Sequence, residues 1–440
     1  MDEAKRNAGK REPRAWRPRP DADRGREPEL IPARSGTRQY SRAALVERIE
    51  AAFLEEFSPN SPPLSEAKTR ADRLKLLRET VDYVLAVESI ALGDDERAGL
   101  MRQVYSRLFG YGPLDALIVD ERIMTIALEG ATRIAVRRGH GELETLTPVF
   151  DDERHLRQIL TRLLDHAGAR LDDDQPAVET GLTVDGRPLA ITVIGPPATF
   201  VLSADIRLHP RQPPDLNALV DNGMLPDDAA HFLASLVASP YGFIIVGEGE
   251  TGKTTLLNAL AARLPEADRI ATVERAGELR LPVSAQRFIV RWPGSGETAV
   301  TFADCVRQAL DANADCLLVD EVRAEEAEAI APLLEEDAHV PRLFWSFRGV
   351  PDAKRLQAAL GMLARRANPG AGEAPVHTLY RRLPFVVSLA RIRGQLQLFS
   401  IGEWQPTPAS DYPDYVLLYQ YRDGAARPTE KQPRLPVALG

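Results

Sequence analysis

The chain has 440 residues, 44% of them hydrophobic and 27% charged, with a formal net charge of −9. That composition excludes a wholly disordered chain, leaves room for two domains and a small third, and contains no apolar run near the roughly eighteen residues of a spanning helix. The acidic balance, without a clustered Lys/Arg stripe, argues against nucleic acid as a partner.

Residues 1–40 are rich in Arg, Pro and charge and lack an apolar h-region, so they read as a disordered leader and not as a secretory signal. Helical periodicity begins behind Ser41, a candidate N-cap, in SRAALVERIEAAFLEEF. It resumes after the break SPNSPPLSE and recurs in DDERAGLMRQVYSRLFG, so residues 41–110 are expected to form a small helical module.

From residue 111 the period changes. IMTIALEG and RIAVRRG read as strands, DDERHLRQILTRLLDHAG as an amphipathic helix ending at Gly168, LTVDGRPLAITVIG as a hairpin around its DG, and FVLSADIRL as another strand. Residues 111–208 are therefore expected to be an α+β domain of mixed sheet and packed helix. HPRQPPD, residues 209–215, reads as a linker.

Over residues 216–404 strands and helices alternate: GFIIVG, a helix from Lys253, RIATVE, RFIVRW, TFADCVRQALDAN, CLLVDE, AEEAEAIAPLLEE and RLFWSF. That order predicts a parallel sheet covered by helices. FVVSLARI and QLQLFSIGEW read as an edge hairpin around Arg393 and Gly394, and residues 405–440 as a Pro-rich, loosely ordered tail. Cys305 and Cys316 lack metal-ligand spacing and lie in apolar surroundings, so both are expected to be buried thiols in a reducing compartment.

Residues 247–255 read GEGETGKTT, the spacing of a phosphate-binding loop between a strand and a helix. That arrangement aims backbone N–H groups and a helix N-terminus at one point, where anions are stabilised. Gly247, Gly252, Lys253, Thr254 and Thr255 are the candidate nucleotide-binding residues. Lys253 would neutralise phosphate charge and Thr254 would ligand Mg²⁺, which makes ATP and Mg²⁺ the expected ligands. Glu248 and Glu250 stand inside the loop, where repulsion of a phosphate amounts to about 1–4 kcal/mol per close pair unless the carboxylates splay away. CLLVDEVR ends an apolar strand in Asp320 and Glu321, a Walker B pattern: one carboxylate holds Mg²⁺ and the next polarises the attacking water.

With these motifs the chain resembles the type II/IV secretion ATPases, and within them the tight-adherence pilus-assembly (CpaF-like) motors, over residues 100–404. YGPLDALIVD is similar to the family's GLGPLEPLL, GKTTLLNALAARLPEADRIATVE to the stretch from Lys-Thr-Thr through an acidic TIED box, and VDEVRAEEA to VGEVRGEEA. The resemblance implies a RecA-like P-loop C-terminal domain behind an α+β N-terminal domain. It implies Glu274 and Glu321 as catalytic acids, Glu278 as the second acid of the box, and Arg187 and Arg207 as arginines that approach the phosphates. It also implies a hexameric ring, of this chain alone or with a related ATPase, and an inner-membrane platform protein as partner in secretion or pilus assembly. The location implied is cytoplasmic, peripheral at the inner membrane through partners.

The departures from the family cluster on chemistry. GTGSGKTT becomes EGETGKTT, which puts Glu250 at a glycine position. The box aspartate is Arg275, and a histidine-containing TGHDGSMTTIHAN reads EDAHVPRLFWSFRGV, with His339 on the first histidine and Phe347 on the second. The arginines of LRMRPD fall on Asp311 and Asn313, and one N-terminal arginine falls on Gly181. In the other direction, Asp320 replaces a glycine and completes a Walker B pair. Phe344, Trp345 and Phe347 read as fillers of a buried strand and His339 as a helix-end or loop residue. Arg323 stays open between a salt bridge and a subunit contact. The expectation is an ATP–Mg²⁺-binding secretion or pilus-assembly ATPase with slow or absent hydrolysis; the alternative is a non-catalytic assembly or regulatory subunit of such a motor.

Overall fold

The fold is that of a computed structural model, which describes residues 41–57, 61–67, 70–147, 149–281, 284–292, 298–336, 338–407 and 412–437. The expected leader, residues 1–40, lies outside them. The chain divides into two compact units after Asp115.

The first unit holds the helices α1 (Arg42–Glu56), α2 (Pro62–Glu66), α3 (Arg70–Val87) and α4 (Asp94–Phe109). Ser41 caps α1 as its sequence predicts, accepting a bond from the Ala44 N–H at 3.2 Å. Leu45, Ile49 and Phe53 of α1 meet Leu77, Val81 and Val84 of α3 and Leu100 and Val104 of α4 in one core. The short α2 was not expected. It starts on Pro62 and Pro63, residues that suit a first helical turn because their missing N–H is not needed there. α5 (Pro113–Val119) follows.

The second unit contains two sheets. The first is built from β1 (Ile123–Glu129), β2 (Arg133–Arg138), β3 (Leu143–Leu146), β4 (Ala177–Val184), β5 (Arg187–Ile194) and β6 (Ser203–Leu208), with α6 (Glu153–His166) between β3 and β4. Its order is β3-β2-β1-β6-β5-β4. Every pairing is antiparallel, so the expected mixed sheet is corrected. Asp185 and Gly186 both take positive φ in the β4–β5 turn, which is what a two-residue DG hairpin requires. α6 buries Leu156, Ile159, Leu160, Leu163 and Leu164 along one stripe, and Gly168 follows at φ +69°.

Residues 209–215 lead to α7 (Leu216–Asp221) and α8 (Asp227–Ala238). The second sheet then alternates with helices: β7 (Phe243–Gly247), α9 (Lys253–Ala261), β8 (Ile270–Glu274), β9 (Gln286–Ile289), α10 (Phe302–Asp311), β10 (Cys316–Val322), β11 (Arg342–Arg348), α11 (Ala353–Ala367), α12 (Ala374–Arg382), β12 (Phe385–Ile392), β13 (Gln395–Gln405), β14 (Asp414–Arg422) and β15 (Ala425–Pro428). The order is β15-β14-β13-β12-β7-β11-β10-β8-β9. The six strands from β12 to β9 run parallel, the α/β P-loop architecture the alternation predicts. β7 is buried on both faces: Phe243 and Ile245 enter one core with Leu256 and Leu257, while Ile244 and Val246 enter the other with Trp345.

Three expectations for this region are corrected. The β12–β13 hairpin is not at an edge, because β12 pairs with the central β7 and β14 and β15 continue beyond β13. The same strands replace the expected loose tail as far as Pro428: Trp404 packs on Tyr415 at 4.6 Å between ring centroids, and Leu418 is buried. AEEAEAIAPLLEE forms a 3₁₀ run, Ala327–Leu334, in which Pro332 removes a donor the α-helix would need. Phe344, Trp345 and Phe347 are buried in β11, and Cys305 and Cys316 are buried thiols, as expected. Among the described residues no helix is long and apolar enough to cross a membrane.

Candidate functional site

The phosphate-loop sequence joins β7 to α9, so residues 248–252 cross the C-terminal edge of the parallel strands where α9 begins. Gly247 is required there: a Cβ would meet Thr251 Oγ1 at 2.3 Å and the Leu389 carbonyl at 2.9 Å. Gly252 caps α9 at φ +87°. Lys253 is 6% exposed, and its Nζ donates to the Glu248 carbonyl at 2.8 Å, folded back over its own loop. Burial pulls the ammonium below its usual range, against the pull of Glu321 and Asp320.

The two loop glutamates part company. Glu248 is exposed. Glu250 takes φ +58° and turns its carboxylate to the N-terminal sheet, where Thr125 Oγ1 donates to it at 2.7 Å and Arg137 pairs with it. Arg391 Nη2 holds the Glu250 carbonyl at 3.1 Å.

Thr125 and Arg137 belong to one transverse row of the antiparallel sheet. Thr125 stands opposite Arg137 on β2 and Arg207 on β6; Arg207 stands opposite Ala190, and Ala190 opposite Gly181 on β4. Residues directly opposite share a face, so the row Arg137–Thr125–Arg207–Ala190–Gly181 presents to the phosphate-loop sheet together. Each end makes contact. Arg137 meets Glu250, and a Cβ on Gly181 would lie 1.7 Å from the Ala276 carbonyl, so no arginine could stand there.

At the centre of the row Arg207 lies 3.9 Å from both Glu179 and Glu278. Burial opposes its charge, and Glu278, Glu321 and Glu179 outweigh it and raise its pKa. Glu278 is buried, with His209 Nε2 at 3.1 Å. Burial works against its ionisation, yet His209 and Arg207 hold the carboxyl down at about 2.

The Walker B acids sit on a bulge in β10, where the register against β11 slips between Val319 and Val322. Glu321 there takes φ +54°, and such a bulge re-aims the side chains beside it. Asp320 carries the opposite perturbation to Glu278. Burial, with Glu278 beside it, pushes it up to about 7, although Ser346 Oγ donates to it at 2.7 Å. Thr254 Oγ1 is 3.3 Å from Asp320 Oδ2. A buried carboxylate short of positive charge, beside a hydroxyl at the start of α9, fits Mg²⁺, which takes one or two protein oxygens and completes its shell with water and phosphate. No His/Cys/Asp/Glu cluster able to hold a metal by itself occurs among the described residues.

The remaining expected residues are distributed unevenly. Lys253, Thr254, Thr255, Gly252 and Arg207 line one cavity of about 120 Å³ together with Glu278, Glu250, Thr125, Arg137 and Arg391. Glu321 approaches Arg323 Nε at 3.8 Å and is backed by Arg275, whose Nε donates to the Glu321 carbonyl at 3.3 Å. Glu274 does not line the cavity: Arg287 closes both its oxygens, and Thr272 and the Leu279 N–H donate to it as well. Arg187 is corrected as a phosphate residue, because its guanidinium is buried among the carbonyls of Ile118, Asp120, Ile123 and His209. Arg323 makes a salt bridge with Glu179 at 2.8 Å, and His339 is exposed in a loop. Thr125, Arg137 and Arg391 were not anticipated. The one signal for Arg137 was alternation in RIAVRRG, which buries Ile134 and Val136 and turns Arg137 to the other face.

The family model described as "Type II/IV secretion system protein" matches residues 108–334. The "Putative conjugal transfer protein MT3759" of Mycobacterium tuberculosis is 30% identical over 328 residues, 70% of this chain and 93% of that protein. "Type IV secretion system protein PtlH" of Bordetella pertussis is 34% identical over 99 residues, 22% of this chain and 29% of that protein. Among solved structures, the ATPase DotB of Legionella pneumophila matches with a TM-score of 0.45 and 15% identity, over 66% of this chain and 79% of that one.

Proposed function

The chain belongs to the type II/IV secretion system protein family, and from that premise we propose that it is an ATP–Mg²⁺-binding subunit of a secretion or pilus-assembly motor in which hydrolysis is slow. The observation that carries the reading is the meeting of Thr254 with Asp320 at the start of α9, beside the cavity that Thr254 and Lys253 line. Lys253 and the α9 N-terminus hold the phosphates, and Thr254 with Asp320 holds Mg²⁺, which supplies charge neutralisation of the triphosphate when bound. Glu278 stays ionised between His209 and Arg207 and would orient the attacking water as a hydrogen-bond acceptor.

Slow hydrolysis follows from what is already engaged. Glu274 is closed by Arg287, and Arg187 is enclosed by carbonyls. Since phosphoryl transfer depends on positioned charge, each group withheld from the phosphates lowers the rate by orders of magnitude. The chain would act in the cytoplasm, in a ring with itself or a related ATPase, against an inner-membrane platform protein. A second reading, a non-catalytic assembly or regulatory subunit, is favoured by the same closed state of Glu274 and Arg187. Phosphate release beside a Lys253→Ala control tests the proposal. Weak turnover lost in the variant supports it, and brisk turnover lost in the variant contradicts the slow step. Turnover unchanged by the variant places the activity elsewhere.

A further inference from the structure

Arg137 lines the same cavity as Lys253, and no motif gives it a task. It stands at one end of the row that continues through Thr125 to Arg207, and its partner is a carboxylate from within the phosphate loop itself. Glu250 reaches that partner from the left-handed region, φ +58°, which side chains other than Gly, Asn and Asp seldom adopt. Thr125 at 2.7 Å and Arg391 at 3.1 Å hold its carboxylate and carbonyl in place. A carboxylate therefore already occupies Arg137, a guanidinium on the wall of the cavity. The cavity of about 120 Å³ is small beside the ~300 Å³ at which small-ligand pockets begin, so the loop side chains that line it bear on what enters. Glu250 is the one negatively charged among those on the loop that line it.

We propose that Glu250 is a resident competitor of the triphosphate: it occupies Arg137 in the nucleotide-free chain and yields it to a nucleotide phosphate on binding. The proposal rests on the nucleotide-binding reading above. The exchange puts one anion in place of another on the same guanidinium, so a part-buried charge is paired in both states. It also carries information. Thr125 and Arg137 lie on β1 and β2, so release of Glu250 breaks the side-chain link between the phosphate loop and the N-terminal sheet, and that sheet registers whether nucleotide is bound.

Isothermal titration of ATP with Mg²⁺ into the full chain, Lys253→Ala, Glu250→Gln and Glu250→Gln/Arg137→Gln tests the exchange. Glu250→Gln keeps the bond from Thr125, and Glu250→Gly, which suits a positive φ, serves as a second form of the same test. Glu250→Gln is expected to tighten ATP binding about tenfold, the scale of one close like-charge contact removed. Adding Arg137→Gln is expected to abolish that gain, since the freed guanidinium is what the phosphate acquires. If the unsubstituted chain binds ATP, loses it in Lys253→Ala, and gains nothing from Glu250→Gln or Glu250→Gly, the exchange is wrong and the nucleotide site stands. A gain that survives Arg137→Gln also overturns it, by showing general repulsion without a shared partner. Absence of ATP binding in every chain overturns the nucleotide reading and the exchange together.

Discussion

Arg287 grips both carboxylate oxygens of Glu274, Nε and Nη2 each at 2.9 Å, on a side chain that is 1% exposed. This pairing turns an acid of a catalytic box into part of the framework that fastens β8 to β9. Removing Arg287 leaves a buried carboxylate with only the Thr272 hydroxyl and the Leu279 N–H. Arg287→Ala is expected to destabilise the fold by about 2–3 kcal/mol, below the ~3–5 kcal/mol of a fully buried pair because the guanidinium is partly solvated. Chemical denaturation reads this directly; an unchanged midpoint would show that the pair contributes nothing.

Glu278 offers the contrast. Its partners His209 and Arg207 lie on the N-terminal side, and the cavity reaches it. Glu278→Gln is expected to lower whatever phosphate release the chain has by about a hundredfold, for loss of the charge that orients the attacking water, with ATP affinity changed far less. Glu274→Gln is expected to lower the melting temperature. A reversal of these two effects would return the catalytic role to Glu274.

Arg187 and Arg207 separate in the same way. Arg187→Ala removes the guanidinium from the carbonyls of Ile118, Asp120 and Ile123, of which Asp120 keeps the Ile123 N–H, and is expected to cost about 3 kcal/mol of stability, a conservative sum for bonds made by a charged group. Arg207→Ala is expected to weaken nucleotide binding instead. Denaturation and titration of the two variants side by side distinguish the roles.

The pH dependence follows from Asp320 and Glu278. The native chain holds a proton on Asp320 up to about pH 7, whereas an aspartate free in water releases it near 3.8. Its contribution to stability is therefore full below about 3.8 and is lost as pH rises through about 7. Glu278 has the opposite sign: its contribution is present above 4.5 and is lost as pH falls through about 2. Mg²⁺ needs the ionised Asp320, so the rise in melting temperature on adding Mg²⁺–ATP is expected to be larger at pH 8 than at pH 6. Asp320→Asn should flatten that difference.

Gly181 allows the two sheets of the second unit to close, since a Cβ would lie 1.7 Å from the Ala276 carbonyl. Gly181→Ala is expected to cost about 1–3 kcal/mol as overpacking against backbone. The stretch 209–215 should become more sensitive to limited proteolysis.

Much of this site was legible in the sequence because its signals are local. GEGETGKTT fixes a strand–loop–helix by spacing alone, and CLLVDE ends in two acids, of which the fold brings Asp320 to Thr254. The helical module, α6 and the DG hairpin were readable for the same reason: periodicity and turn chemistry act over a few residues. What escaped depends on register and on packing between distant segments. Arg137 and Arg207 become neighbours of Thr125 only when β2, β1 and β6 align, and Glu250 finds Arg137 across 113 residues of chain. Arg187 and Glu274 sit at positions that imply chemistry, and the fold surrounds them with carbonyls and Arg287. The strands β14 and β15 were hidden by Pro-rich flanks, although DYVLLYQYR is already rich in the aromatic and aliphatic residues of a strand.

The account is tested most directly by titrating ATP into the chain with and without Mg²⁺, beside Asp320→Asn. It predicts binding that tightens about tenfold or more with Mg²⁺, with that gain absent in Asp320→Asn. ATP affinity indifferent to Mg²⁺ in the unsubstituted chain, or no ATP binding at all, would contradict it.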